Sequence, residues 1–217
     1  MIDIHVIAMI LTIPYQTLEI GRIHINTFQK DGKGRSIAPL SYKDTAIDMN
    51  DLSILTPPLK VLDYNIDTSR IRFDIKDQKP FGIKLNTLQK YLESTFYLHR
   101  MSFLNKDFTI SEIENIFQHL LLDDVFSVFI YPTTSIYKED GSVIKMSTIQ
   151  PGDSIRFTLC IQGVVIIDTY GNTNSNTNTN SNSHLRVRIQ HYVPAVWHVN
   201  TVLPTNTGDS KASKCET

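Results

Sequence analysis

The residues best suited to chemistry lie in Leu185-Arg186-Val187-Arg188-Ile189-Gln190-His191-Tyr192. Side chains alternate across a strand, so Leu185, Val187 and Ile189 turn to one face. Arg186, Arg188, Gln190 and Tyr192 turn to the other. An upstream run has the same period: Ile155, Phe157, Leu159 and Ile161 point inward, and Arg156, Thr158, Cys160 and Gln162 point outward. Joined as a hairpin, the two runs would offer three guanidiniums, amides and a tyrosine ring on one surface. Arginine bridges phosphate oxygens bidentately and stacks on planar groups, and tyrosine stacks on any base. Arg70 and Arg72, alternating with Ile71 and Phe73, add two cations, and the glycine loop Lys30–Arg35 adds Lys33 and Arg35. A solvated strand face carries the same residue types without a ligand, so alternation alone does not separate binding from plain surface.

Other arrangements point away from catalysis. The seven histidines form no HxH, HExxH or His-Cys group with ligand spacing, and neither cysteine lies in a CxxC. Asp44, Asp48 and Asp51 lack the spacing of a calcium loop and read as solvated surface. No GxGxxG, P-loop or GxSxG occurs. The expectation is a non-enzymatic protein without metal or cofactor. Trp197 shares the parity of Leu185 and Ile189 and reads as core, unless Pro194 shifts the register. Phe129 and Tyr131 share the face opposite Phe126, Val128 and Ile130, where they would pack or form a stacking platform.

The elements that must position these residues come from a chain of 217 residues, 41% hydrophobic, with 21 basic against 22 acidic side chains. That supplies a sizeable core and excludes wholesale disorder. A net charge of -1 excludes a uniformly basic coat but not a local basic face. Two cysteines cannot build a disulfide framework, so an intracellular, reducing setting is expected. The apolar run Ile4–Ile13 follows an acid and reads as a buried strand, not as a targeting or membrane segment.

Strands are expected over 4–13, 18–28, 69–76 and 126–131, with residues 44–66 irregular around Pro57-Pro58. Asn86 with Gln89, and Thr109 with Glu112, read as helix caps, the second helix ending at Asp123-Asp124. Later strands run over 155–167 and 185–199, separated by an Asn/Thr/Ser tip over 170–184 that has nothing apolar to anchor it. The expected fold is α+β: a curved antiparallel sheet or small OB-like barrel. A single domain over 1–199 would carry a two-helix insertion over about 85–124, followed by a loose tail over 200–217.

Several segments resemble the OB-fold-like single-stranded DNA-binding proteins of large nucleocytoplasmic DNA viruses. These are Ser53-Ile54-Leu55-Thr56-Pro57-Pro58, the Arg70-to-Ile75 strand, and the C-terminal order Asp140-Gly141, Gly152-Asp153, Ile155–Gly163, polar tip and Trp197-His198-Val199. Val164-Val165 stands where that pattern often has an aromatic after the glycine. The resemblance implies sequence-tolerant binding of single-stranded DNA or RNA, no membrane, and replication proteins or further copies of the chain as protein partners. It places the protein at a viral replication site in host cytoplasm or nucleus. The alternative is a non-enzymatic structural or virion-assembly β-protein. The positions of Arg70, Arg72, Arg156, Arg186 and Arg188 discriminate the two.

Overall fold

Extended backbone dominates the first third of the chain. The computed structural model describes residues 11–45, 48–138, 141–168 and 185–199, so the expected strand over 4–10, the tip and the tail lie outside the described residues. Strands β1 (Ile13–Pro14), β2 (Ile23–Ile25), β3 (Gln29–Lys30) and β4 (Ser36–Lys43) precede β5 (Asp48–Met49), β6 (Leu52–Leu55), β7 (Leu59–Asn65) and β8 (Arg70–Asp74). The stretch expected to be irregular, 44–66, therefore holds three strands. Pro57 and Pro58 break the ladder between β6 and β7 but leave both sides extended, the conformation proline imposes on its predecessor.

Helices α1 (Lys79–Leu98), α2 (Arg100–Leu104) and α3 (Ile110–Ile116) follow. α1 begins seven residues before the expected cap at Asn86. Pro80 takes the first turn, where a missing N–H costs nothing, while Asn86 is exposed in mid-helix and Gln89 is buried. The second cap forms as expected: the Thr109 hydroxyl accepts from the Glu112 N–H at 3.2 Å, and the Glu112 carboxylate accepts from the Thr109 N–H at 2.8 Å. Ile113, Ile116, Phe117 and Leu120 are buried, whereas Ile110 in the first turn is exposed. Asp123 and Asp124 end no helix. With φ of 50° and 60° they make the two-residue turn between β9 (Leu121–Leu122) and β10 (Val125–Tyr137). Among the described residues, no helix is long and apolar enough to cross a membrane.

β11 (Val143–Ile144), β12 (Ser154–Asp168) and β13 (Leu185–Val199) complete a sheet that turns back on itself. β7 pairs with β8, β8 with β10, β10 with β13 and β13 with β12. β12 returns to β7 through Ser154 opposite Lys60 and Ile155 opposite Leu59. Only β10–β13 is parallel, and its pairing starts at Ile130 opposite Val193. Before that point β13 finds another neighbour: Val187 bridges Phe117, and its carbonyl accepts from the Gln118 N–H at 2.8 Å. The segment leaving α3 is thus wedged into the seam, and the architecture is α+β with a partly ringed sheet.

The expected parity of the last two strands holds in the core. Phe157, Leu159, Val187 and Ile189 are buried, and the Phe157 ring stacks on Phe73 at 5.1 Å and on Phe126 at 6.4 Å. Pro194 lies in a bulge: Thr158 faces Ala195 but Cys160 faces Tyr192, so β13 has one extra residue there. Beyond it the buried residue is Val196, and Trp197 moves to the half-buried side opposite Arg156, away from the expected core position. Gly163 is required by close approach: a Cβ there would sit 2.3 Å from the Ala38 carbonyl oxygen of β4.

Candidate nucleic-acid interface

Alternation on β8 buries Ile71 and Phe73 and exposes Arg70 and Arg72. On β10 it buries Phe126, Val128 and Ile130 and leaves Val125, Ser127 and Phe129 half-buried on the outer side. The register sets Ser127 opposite Arg72 and Phe129 opposite Arg70. Where the β10–β13 seam is unzipped, a cavity of about 430 Å³ opens. Arg70 and Arg72 line it from β8, Phe129 and Ser127 from β10, and Arg188 and His191 from β13, with Gln118 to Leu120 closing one wall. Three guanidiniums from two non-adjacent strands therefore meet at one opening, with Asp123 as the carboxylate in its lining.

The three are not electrostatically equal. Arg72 donates from Nε to both Asp63 carboxylate oxygens at 3.0 and 2.8 Å, and it holds that carboxyl below the usual range. No ion pair among the described residues engages Arg70. Arg188 is half-buried. Burial depresses His191, and the Arg188 and Arg70 charges add to that, while the carbonyls of Ile189 (3.1 Å) and Ser127 (3.3 Å) pull the other way. The Ser127 contact ties β13 to β10 across the open seam.

The other expected residues divide. Gln190, two positions from Arg188 on the same face of β13, accepts from Arg35 at 3.0 Å and donates to Gln162 at 2.6 Å. The glycine loop thus reaches the strand bearing Arg188, although Asp31 neutralises Arg35 at 2.6 Å. Lys33 is exposed in the turn, its backbone N–H donating to Asp31. Arg186 is exposed on the Arg188 face but does not line the cavity. Arg156 stands apart, opposite Trp197 and eleven positions along β12 from Ile167, the partner of Arg186.

The outward row expected on β12 is interrupted. Thr158 and Cys160 are buried, because β12 has a strand on both edges here and the side chains of Leu55, Ser53 and Tyr192 stand beside them. Burial raises the Cys160 thiol, whose Sγ lies 3.7 Å from Asp51. Tyr192 is part of that cluster, so it is not the open platform its parity suggested. Asp44 pairs with Arg22 and Asp48 with Lys43; among the described residues no metal-ligating cluster forms.

Sequence reasoning missed His119, His191 and Gln118. Strand parity put His191 on the buried face, and nothing local marks the segment after α3 as part of a site. No family model, curated protein or solved structure matches the chain.

Proposed function

We propose that this chain is a sequence-tolerant, non-enzymatic single-strand nucleic-acid-binding protein. It holds its ligand, most favourably DNA, on the outer side of β8, β10 and β13. The observation carrying the reading is the meeting of Arg70, Arg72 and Arg188 with Phe129 around one cavity. Guanidiniums there can take successive phosphates while the ring offers a stacking face, a combination that binds single strands without reading sequence. The strand order supports it as well. The path β7-β8-β10-β13-β12, closing on β7 with one parallel pair, fits the five-stranded Greek-key order of an OB-fold. In that fold the face of the second and third strands, here β8 and β10, binds oligonucleotides. The resemblance to viral single-strand-binding proteins agrees with this placement, and a viral replication or repair setting follows from it.

Titration of a fluorescent oligo-dT at two salt concentrations tests the proposal. Tight binding at low salt that weakens as salt rises is expected, because phosphate contacts release counterions. Absence of binding at low salt would reject it and favour the assembly-protein alternative. One observation favours that alternative: Leu98, Met101 and Ile110 of the helical insertion are exposed at 73%, 58% and 56%, and none lines the cavity.

A further inference from the structure

Gln89 is buried on α1, and all of its amide hydrogen-bonding directions are assigned by its neighbours. Its Oε1 accepts from the Leu120 backbone N–H at 2.8 Å, a donor that cannot reverse its role. Its Nε2 donates to Glu93 Oε1 at 2.8 Å, and Glu93 is itself buried. The flipped amide would set donor against donor at Leu120 and oxygen against oxygen at Glu93, so the orientation is fixed twice over. The same Nε2 lies 2.8 Å from His119 Nδ1. An amide nitrogen has only hydrogens to offer, so Nδ1 must be the acceptor, and the ring proton is left on Nε2. His119 is exposed and lines the cavity between Arg188 and Arg72. Behind it, Glu93 Oε2 lies 3.1 Å from Lys90 Nζ without hydrogen-bond geometry, so the carboxylate keeps its hold on Gln89 through Oε1.

We propose that the helical insertion supplies the cavity with a neutral hydrogen-bond donor: His119, held by Gln89 as the Nε2–H tautomer, for an acceptor oxygen of a bound nucleotide. The donor role rests on the nucleic-acid reading above; the tautomer does not. Beside three arginines, a neutral N–H adds recognition of an oxygen without adding a fourth positive charge to the opening. Gln89 is the positioning residue, acting only through His119.

Two measurements test this. Long-range ¹H–¹⁵N correlation on the full chain labelled at histidine reads the tautomer directly, with His119 assigned by the signal lost in His119→Gln. The Nε2–H form is expected, and an Nδ1–H form would overturn the proposal. Binding is then followed with a fluorescent oligo-dT and with an abasic strand of equal length. Loss of one neutral hydrogen bond should weaken binding about three- to tenfold in His119→Ala. The salt slope should be unchanged, and His119→Gln should restore most of the affinity, since its amide N–H₂ can stand in for Nε2–H. A loss confined to oligo-dT identifies a base carbonyl as the acceptor; a loss with both strands identifies a phosphate oxygen. No loss with either overturns the donor role, and so does a slope reduced by about 0.7, the signature of a cation on a phosphate. Wild-type chain binding neither strand at low salt would reject the nucleic-acid reading itself, with the tautomer still decided by the spectrum.

Discussion

Phe129 of β10 stands directly opposite Arg70 of β8, so a ring and a guanidinium share the outer side of one antiparallel ladder. Directly opposed side chains in such a pair have Cβ atoms about 5 Å apart. One nucleotide could therefore touch both. Stacking and charge leave different signatures, which makes the two residues separable by mutation.

Arg70→Ala combined with Arg188→Ala should weaken oligo-dT binding and flatten the dependence of log affinity on log salt by about 1.4, at about 0.7 for each phosphate released. Arg72→Ala should change the slope less, because Asp63 already neutralises that guanidinium. Arg156→Ala, opposite Trp197 and outside the cavity lining, should leave binding unchanged. Fluorescence anisotropy across a salt series measures all four. Arg156 contributing as much as Arg70 would move the site to the other end of β12.

Phe129→Ala should cost about 1–3 kcal/mol of binding through lost base stacking, with the salt slope nearly intact. Its ring is half-buried on the outer side, so the thermal midpoint should fall far less than for a core phenylalanine. Phe157→Ala, fully buried between Phe73 and Phe126, gives the comparison at about 3–5 kcal/mol of stability. Equal melting losses in the two variants would show that Phe129 is structural.

Gly163→Ala should destabilise the fold by about 1–3 kcal/mol or more, since the new methyl would meet the β4 backbone at Ala38 and Pro39 rather than a side chain that can swing away. Urea denaturation measures this. An unchanged midpoint would mean that β4 does not lie on β12 as described.

His191 sets a pH dependence. Burial, with Arg188 and Arg70 nearby, lowers its affinity for a proton in the folded chain, so the unfolded chain binds that proton more readily. The stability is fully present above the unfolded value of about 6.5 and is lost as pH falls below it. Urea midpoints measured at about pH 7.5 and 5.5 should therefore drop more in wild type than in His191→Gln. A smaller drop in wild type would mean that the imidazolium is held between the Ile189 and Ser127 carbonyls.

Much of the local structure was legible in the residues themselves. Period-two alternation over Arg70–Asp74, Ile155–Ile161 and Leu185–Ile189 assigns faces correctly, because in a strand each side chain's face depends only on its neighbours. The Thr109–Glu112 box likewise closes over three residues. Asn86 with Gln89 has a similar spacing, yet Pro80 starts the helix earlier and Gln89 is buried against Leu120 and His119. Tertiary contact overrode that local signal.

The site itself was decided by tertiary structure. Alternation identifies Arg70, Arg72, Arg156, Arg186 and Arg188 as outward-facing, but it contains no information on which strands become neighbours. That depended on the parallel β10–β13 pairing between segments far apart in the chain, and on the Phe117–Gln118 wedge that keeps the seam open beside Arg188. Face is a property of consecutive residues and can be read from them. Adjacency is settled by which distant apolar surfaces bury one another, and it brings Arg70 and Arg188 to one cavity while leaving Arg156 with Trp197.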